Sequence, residues 1–303
     1  MAEAVMRLKA KDFSEVFQEQ LSPWLKQKIA AYNFVYRPLN KREKEEYRLK
    51  IIKKISRKKL PQAGPARIVQ WEKGWQENLD EGSVIPHYFG KYPVIRFKQD
   101  LIKPVNKIFE YHSLAVITYW LLEKYFTPGV KEVHTPGVLY EFGCGTGHNL
   151  LRVREVNPRA EIWGLDWAKS SQKIIKRLGF KTAGFDLFKP DKGFKLRPNS
   201  SILTVAALEQ LGKRFKPIVK YWRENKIKLV VNIEPINELL DKNNQWDKLS
   251  IKYAQKRNYL EGYLIYLRQL EKEGKIIIQR QQRSYIGSLF IDGYSIVVWS
   301  PKI

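Results

Sequence analysis

Apolar positions along the chain change their period at two points. Over residues 1–60 they recur every three to four residues, the period of helices with one buried face. SPWLKQKIAAY opens on Ser22-Pro23, an N-cap followed by a first-turn proline, and Asn40 caps the next helical stretch. LPQAGPAR (60–67) interrupts the pattern with prolines and a glycine and reads as a linker. Residues 68–100 read as irregular and aromatic, with Trp71, Trp75, Tyr88, Phe89, Tyr92 and Phe97 punctuated by Pro86, Gly90 and Pro93. The helical period returns over 105–126 through Ile108, Tyr111, Leu114, Ile117 and Leu121, and stops at TPG.

From residue 137 the apolar positions gather instead into short runs: VLYEF (138–142), EIWGL (161–165), KTAGF (181–185), SILTVA (201–206) and KLVVNIE (228–234). Helical stretches at 148–156, 168–178 and 208–225 separate them, and a long helix at about 250–272 precedes KIIIQRQQ (275–282) and YSIVVWS (294–300). Strands joined by helical crossovers lie parallel. The last two strands share only a short connection, containing Gly287 and Gly293, and so pair antiparallel. The expected fold is α/β: a doubly wound, seven-stranded, mostly parallel sheet with a C-terminal antiparallel hairpin, plus an N-terminal mainly helical region. The expected division is a helical and aromatic cap over 1–130 and the sheet domain over 131–303.

Composition narrows the chemistry. The single cysteine, Cys144, excludes an internal disulfide and a Cys-rich zinc site, and no metal site is expected. MAEAVMRLKAKDF lacks the apolar core of a secretory signal, and no run approaches the roughly 18 apolar residues of a membrane span, so a cytoplasmic protein is expected. The net charge of +24 favours anionic partners, nucleic acid among them. That surplus is spread evenly, with 24 basic and 14 acidic residues over 1–130 and 31 and 17 over 131–303. One dense cluster stands out: Lys41 to Lys59 holds ten basic and three acidic residues around Tyr47, Ile51 and Ile55. It reads as a surface helix with one buried stripe, serving either as a solvated face or as an anion-binding one. None of these features sets an oligomeric state.

The chemistry concentrates in YEFGCGTGHN (140–149), at the end of the first strand of the sheet. Glycines there permit a sharp turn and close approach of a ligand to the backbone, and the helix that follows offers free N–H groups. A Walker A sequence is absent, and Gly147 comes one position too early for the GxGxxG of dinucleotide sites, where His148 stands instead. The pattern hydrophobic–Glu141–hydrophobic–GxGxG, with Gly143, Gly145 and Gly147, resembles the first motif of class I S-adenosylmethionine-dependent methyltransferases. The later strand ends continue the likeness with Asp166 in WGLDWAKSS, Asp186 in GFDLF, and LTVAALEQLG, where Gln210 replaces the family's frequent His.

The resemblance covers roughly residues 137–300 and implies S-adenosylmethionine as cofactor. By it, Asp166 accepts the ribose hydroxyls, Asp186 the adenine amino group, and Glu141 the methionine amino group. Trp167 stacks on adenine, while Leu187 and Ala206 complete the pocket. Bland alternatives stand beside these roles: Glu141 can satisfy turn N–H groups, Asp186 can cap a short turn, and Trp167 can simply pack.

The family's acceptor motifs are missing. AALEQ stands where amino-group nucleobase methylases carry [DNS]PP[FYW], and the Asp that the Lys-Asp-Lys-Glu arrangement of ribose 2′-O methylation places at the end of the fourth strand is missing. A small-molecule or glycan acceptor is therefore expected, with a polyanion such as nucleic acid, or a non-catalytic nucleotide-binding relative, as the alternatives. Glu209 and Glu234, at strand ends, are the first candidates for base or substrate-orienting group, ahead of His148. Asn232 and His112 are further polar candidates. Arg257, with Lys256 and Asn258, either caps a buried polar network or recognises an acidic substrate. The aromatic segment 68–100 suits a lid over the site, or packing of the helical layer onto the sheet.

Overall fold

Alternating β-rich runs and helices build the larger sheet where the sequence predicted it. The computed structural model describes residues 5–127 and 137–302, and the expected domain boundary at residue 130 lies outside them. The N-terminal elements are β1 (Met6–Arg7), α1 (Ala10–Phe17), α2 (Pro23–Ala31), β2 (Val35–Pro38), α3 (Lys41–Ile55), α4 (Ile68–Glu81), β3 (Ile95–Phe97), β4 (Asp100–Pro104) and α5 (Phe109–Phe126). There follow β5 (Val138–Phe142), α6 (His148–Val156), β6 (Glu161–Asp166), α7 (Lys169–Arg177), β7 (Lys181–Gly184), β8 (Ser201–Val205), α8 (Lys216–Glu224) and β9 (Leu229–Glu234). The chain closes with α9 (Gln245–Lys256), α10 (Tyr263–Lys272), β10 (Ile276–Gln282), β11 (Ile286–Ser288) and β12 (Ser295–Pro301).

The larger sheet runs β10-β12-β9-β8-β5-β6-β7. Strands β5 to β9 are parallel, and β12 is antiparallel to both its neighbours. Every residue of β9 is buried, as a strand covered on both faces requires. One cluster joins Phe13, Phe17, Leu25, Ile117 and Leu121 to Leu203, Val231 and Val298. A second joins Ile218, Trp222, Leu264 and Leu267 to Ile202, Val230 and Trp299. These two apolar layers sandwich the sheet.

Both predicted caps form. Ser22 Oγ accepts the Leu25 N–H at 3.0 Å. Asn40 Oδ1 accepts from Glu43 N–H at 2.9 Å while Glu43 Oε2 accepts from Asn40 N–H at 3.0 Å, a complete capping box. Along α3 only Ile51 is fully buried, and several of the helix's charges are paired, as in Arg48–Glu45 and Lys44–Asp100.

The N-terminal region differs from the expectation in three respects. It is not mainly helical throughout, because four short strands form a second sheet in the order β1-β2-β4-β3-β11. Its fifth strand comes from the connection between the last two strands of the larger sheet, with Ile286 opposite Phe97, so that connection ties the two regions together. The linker 60–67 is pinned: Leu60 and Ala63 are buried, Ala63 N–H donates to Arg257 O at 2.6 Å, and Asn258 Nδ2 donates to Ala63 O at 3.2 Å. Finally, 68–81 is a regular helix, α4, whose Ile68, Trp71, Trp75 and Leu79 do recur at helical spacing. The long helix expected at 250–272 is two, α9 and α10, divided where Asn258 and Gly262 take left-handed conformations (φ 54° and 79°).

Candidate active site

Parallel register brings the tips of β5, β6 and β8 to one edge of the sheet, because Phe142 lies opposite both Leu165 and Thr204. A cavity of about 360 Å³ opens there, within the ordinary range of small-molecule sites. Its floor is the glycine turn. Gly143, Gly145 and Gly147 all have positive φ (70°, 52° and 76°). At Gly143 a Cβ would come within 2.5 Å of Ala207 Cβ, so the ends of β5 and β8 can meet only around a glycine. Ala206, which also lines the cavity, holds a left-handed conformation without being glycine (φ 50°), with its N–H donated to Ile233 O at 2.9 Å.

Asp166, at the tip of β6, lines the cavity and is itself buried. Its Oδ2 accepts the Gly145 N–H at 3.0 Å and its Oδ1 the Ala168 N–H at 2.9 Å. Burial pushes its pKa up to about 6 despite these donors. Beside it Trp167 stacks on Phe188 at 5.7 Å, and together with Leu187 they make an apolar wall. Asp186 does not line the cavity. Its Oδ1 accepts the Phe188 N–H at 2.8 Å, so the carboxylate shapes the turn that carries Leu187 and Phe188.

Glu141 lies behind the glycines. One oxygen accepts from Asn149 Nδ2 at 2.7 Å, and Asn149 in turn accepts from Arg152 Nη1 at 2.5 Å. The other oxygen, Oε2, is buried without a hydrogen-bond partner among the described residues, and burial raises the carboxyl to about 8. His148 also lines the cavity. Thr146 Oγ1 donates to Val84 O at 2.6 Å, so at 3.1 Å it can only accept from His148 Nδ1–H. That leaves Nε2 as a bare acceptor with no partner among the described residues. Burial, with Arg152 nearby, holds the imidazole well below its ordinary pKa. His148 is therefore neutral near pH 7 and a weak base.

The two candidate glutamates separate. Glu209 lines the cavity, accepts from Gln210 Nε2 at 2.8 Å, and is raised by burial to about 7. Glu234 does not line it: Oε1 accepts from Ala207 N–H (3.0 Å) and Leu208 N–H (3.1 Å), and Oε2 from Glu209 N–H (3.2 Å). The expectation that Glu234 serves as a base is thus corrected, since its carboxylate is committed to holding the loop that presents Glu209. Asn232 is likewise internal, with Tyr263 Oη, Trp299 Nε1 and Thr204 Oγ1 around it, and His112 stacks on Tyr32 at 4.2 Å.

The roof comes from the N-terminal region. Trp75 of α4 sits on the glycine turn, where a Cβ on Gly145 would lie 2.9 Å from its ring. Trp71 stacks on Trp75 at 5.4 Å, and both line the cavity. Glu72 fixes α4 to the start of α7, accepting the N–H groups of Lys169 (2.7 Å) and Ser170 (2.9 Å), an N-cap supplied from another helix. Sequence reasoning missed Glu72, as well as Arg67 and Glu110, which also line or frame this site. Nothing local marks Glu72 or Glu110, because their partners, the N–H groups of Lys169 and Ser170 and the hydroxyl of Tyr294, lie far along the chain.

The sheet, with its antiparallel strand inserted before the last, has the architecture of the class I S-adenosylmethionine-dependent methyltransferase fold. No protein-family model and no curated protein sequence matches the chain. Among solved structures it is similar to N-methyltransferase NodS from Bradyrhizobium japonicum WM9 in complex with S-adenosyl-L-homocysteine (TM-score 0.47, 8% identity, covering 76% of this chain and 100% of that one). It is also similar to the plantazolicin methyltransferase BpumL in complex with S-adenosylhomocysteine (0.42, 12%, 84% and 99%). A third likeness is to the mitomycin 7-O-methyltransferase MmcR (0.42, 13%, 63% and 55%). What the site can do is decided by its own residues.

Proposed function

We propose that the protein is an S-adenosylmethionine-dependent methyltransferase acting on a small-molecule or glycan acceptor. The observation that carries this is the conjunction, in one cavity, of the glycine turn, Asp166 at the neighbouring strand tip, and the unpartnered Glu141 Oε2. The fit to the cofactor is chemical. A buried carboxylate oxygen without a donor suits an ammonium group, and the apolar wall of Trp167, Leu187 and Phe188 suits a flat base. Asp166, whose oxygens each retain acceptor capacity, suits a diol.

When bound, S-adenosylmethionine supplies an electrophilic methyl group. The protein's part is to hold the acceptor in line, exclude water and manage the proton. Trp71 and Trp75 close the roof against solvent. Glu209, with a pKa of about 7, is ionised in a substantial fraction of molecules at neutral pH, and accepts the proton released by an acceptor hydroxyl or amine. His148 keeps Nε2 as an acceptor that orients a donor without taking its proton.

Calorimetric titration of the full chain with S-adenosylmethionine tests the reading. One molecule bound per chain by the wild type, with at least about tenfold weaker binding by Asp166→Ala, is the expected result. No binding by the wild type refutes it.

A further inference from the structure

Three segments distant in sequence meet at the wall of the cavity. The 60–67 segment is hydrogen-bonded to the turn after α9 through Ala63, Arg257 and Asn258, and Gly212 approaches Asn258 so closely that a Cβ there would lie 3.0 Å from its side chain. This packing brings Arg67 and Arg257 to the same wall beside Glu209 and Gln210.

Neither arginine has a carboxylate partner among the described residues. Arg67 donates to Gln70 Oε1 at 3.1 Å and to Gln210 Oε1 at 3.4 Å, and its guanidinium lies over Trp71 at 5.0 Å. Arg257 lies over Tyr259 at 5.1 Å and makes only a long contact, 3.5 Å, to Tyr253 Oη. Its Nε is buried with no hydrogen-bond partner among the described residues. The two half-buried guanidinium groups share the influence of one acid, Glu209, which is bonded to Gln210 rather than to either arginine, so a further anion would balance the pair. Burial holds Arg67 below its ordinary pKa and the charge of Arg257 adds to this. Lys91 lines the same side, and Lys54 is lowered by burial and by Arg57, Arg257 and Lys91 around it. Positive potential therefore continues from the end of α3 into the cavity.

We propose that the methyl acceptor is a small molecule bearing a carboxylate or phosphate group, held between Arg67 and Arg257 with its apolar part against Tyr253, Tyr259 and Phe290. This rests on the methyltransferase reading. Arginine presents a planar fork that takes either anion bidentately, and the three rings give a surface for a flat or sugar-like body. Both guanidinium groups are half-buried in the cavity wall, which favours a small anion over a polymer. An anion seated between them would offset the charges that hold the Glu209 pKa down, making that carboxylate a stronger base once the acceptor has entered.

The test is calorimetric titration of the full chain, saturated with S-adenosylhomocysteine, with phenyl phosphate and with benzoate. The expected result is binding of at least one of them, weakened about tenfold or more by Arg67→Gln and by Arg257→Gln, with S-adenosylhomocysteine affinity unchanged in both variants. Arg67→Lys, which keeps the charge but not the fork, is expected to lie between. Which of the two probes binds tells carboxylate from phosphate. If S-adenosylhomocysteine binds but neither probe does, or if the variants bind the probes like the wild type, the inference is overturned while the methyltransferase reading stands. If single-stranded RNA binds tightly while neither probe does, the acceptor is a nucleic acid and the inference is likewise overturned. If S-adenosylhomocysteine itself fails to bind, the function falls instead, and titration of the unliganded protein still reads the arginine pair.

Discussion

Asp166 and Gly145 are bound to each other directly: the glycine's backbone N–H meets the carboxylate Oδ2 at 3.0 Å. The strand tip that offers an acceptor for a ligand also fixes the turn that must approach that ligand. A second N–H, from Ala168, meets the other oxygen at 2.9 Å. Asp166→Ala is accordingly expected to act on folding and binding together, lowering stability by about 2–4 kcal/mol through two unsatisfied buried donors. Chemical denaturation of the unliganded variant checks the first effect. Asp166→Asn, which keeps one carbonyl acceptor, should lose less.

Binding of the cationic cofactor should depend on pH with a definite sign. Burial raises Glu141 to about 8 and Asp166 to about 6, above their ordinary values of 4.5 and 3.8. Protons held only by the folded chain favour folding below the ordinary values, and this contribution is lost as pH rises through about 6 and then about 8. A bound cation favours the ionised forms, so affinity should rise across the same interval and binding should release protons. Calorimetry in two buffers of different ionisation enthalpy measures that release. Glu141→Gln, which keeps the acceptor for Asn149, should abolish the part of the pH dependence centred near pH 8.

Glu209 and Glu234 should separate cleanly in variants. Glu234→Ala leaves three buried N–H groups without an acceptor and should cost about 3 kcal/mol or more, lowering the melting temperature by about 5 °C or more for a chain of this size. Glu209→Gln removes a buried carboxyl with a single side-chain donor and should leave the melting temperature unchanged or slightly raised, while reducing turnover by about a hundredfold. A thermal melt of each variant settles the stability half. Equal destabilisation by both would show that Glu209 is also structural.

The roof helix should tighten when the cofactor product binds. Glu72 ties α4 to α7, and Trp75 covers Gly145. Hydrogen exchange over 68–81 is expected to slow on addition of S-adenosylhomocysteine more than exchange in β5 or β8. Glu72→Ala should speed exchange over the same residues before ligand is added. Unchanged protection in α4 upon binding would make it fixed scaffold.

Behind the cavity, Arg283 forms two hydrogen bonds to Asp247 (2.6 Å each) and two to Asp292 (2.9 and 2.8 Å), all buried. This cluster anchors the connection carrying β11, whose Ser288 and neighbouring Phe290 line the cavity. Removing one partner strands buried charge, so Arg283→Met should cost about 3–5 kcal/mol in a denaturation experiment.

Local pattern carried much of this protein. Strand and helix periods set out the seven-stranded sheet, since alternation and crossover length are properties of neighbouring residues. Glycine spacing and the acid at the next strand tip marked the cavity floor because a sharp turn and a close approach leave their requirements in the chain itself. Tertiary contact decided the rest. Glu209 and Glu234 are both acids at strand ends, and only the packing of β8 beside β9 turns one into the cavity and the other onto three backbone N–H groups. The helix after Gly64 was legible in the spacing of Ile68, Trp71, Trp75 and Leu79, but its place over the site depends on Glu72 meeting α7 and Trp75 meeting Gly145, partners that no local window contains. Arg67 and Arg257 carry no motif. They form a pair because the 60–67 segment is pinned to the turn after α9, and that closure depends on contacts between segments 195 residues apart.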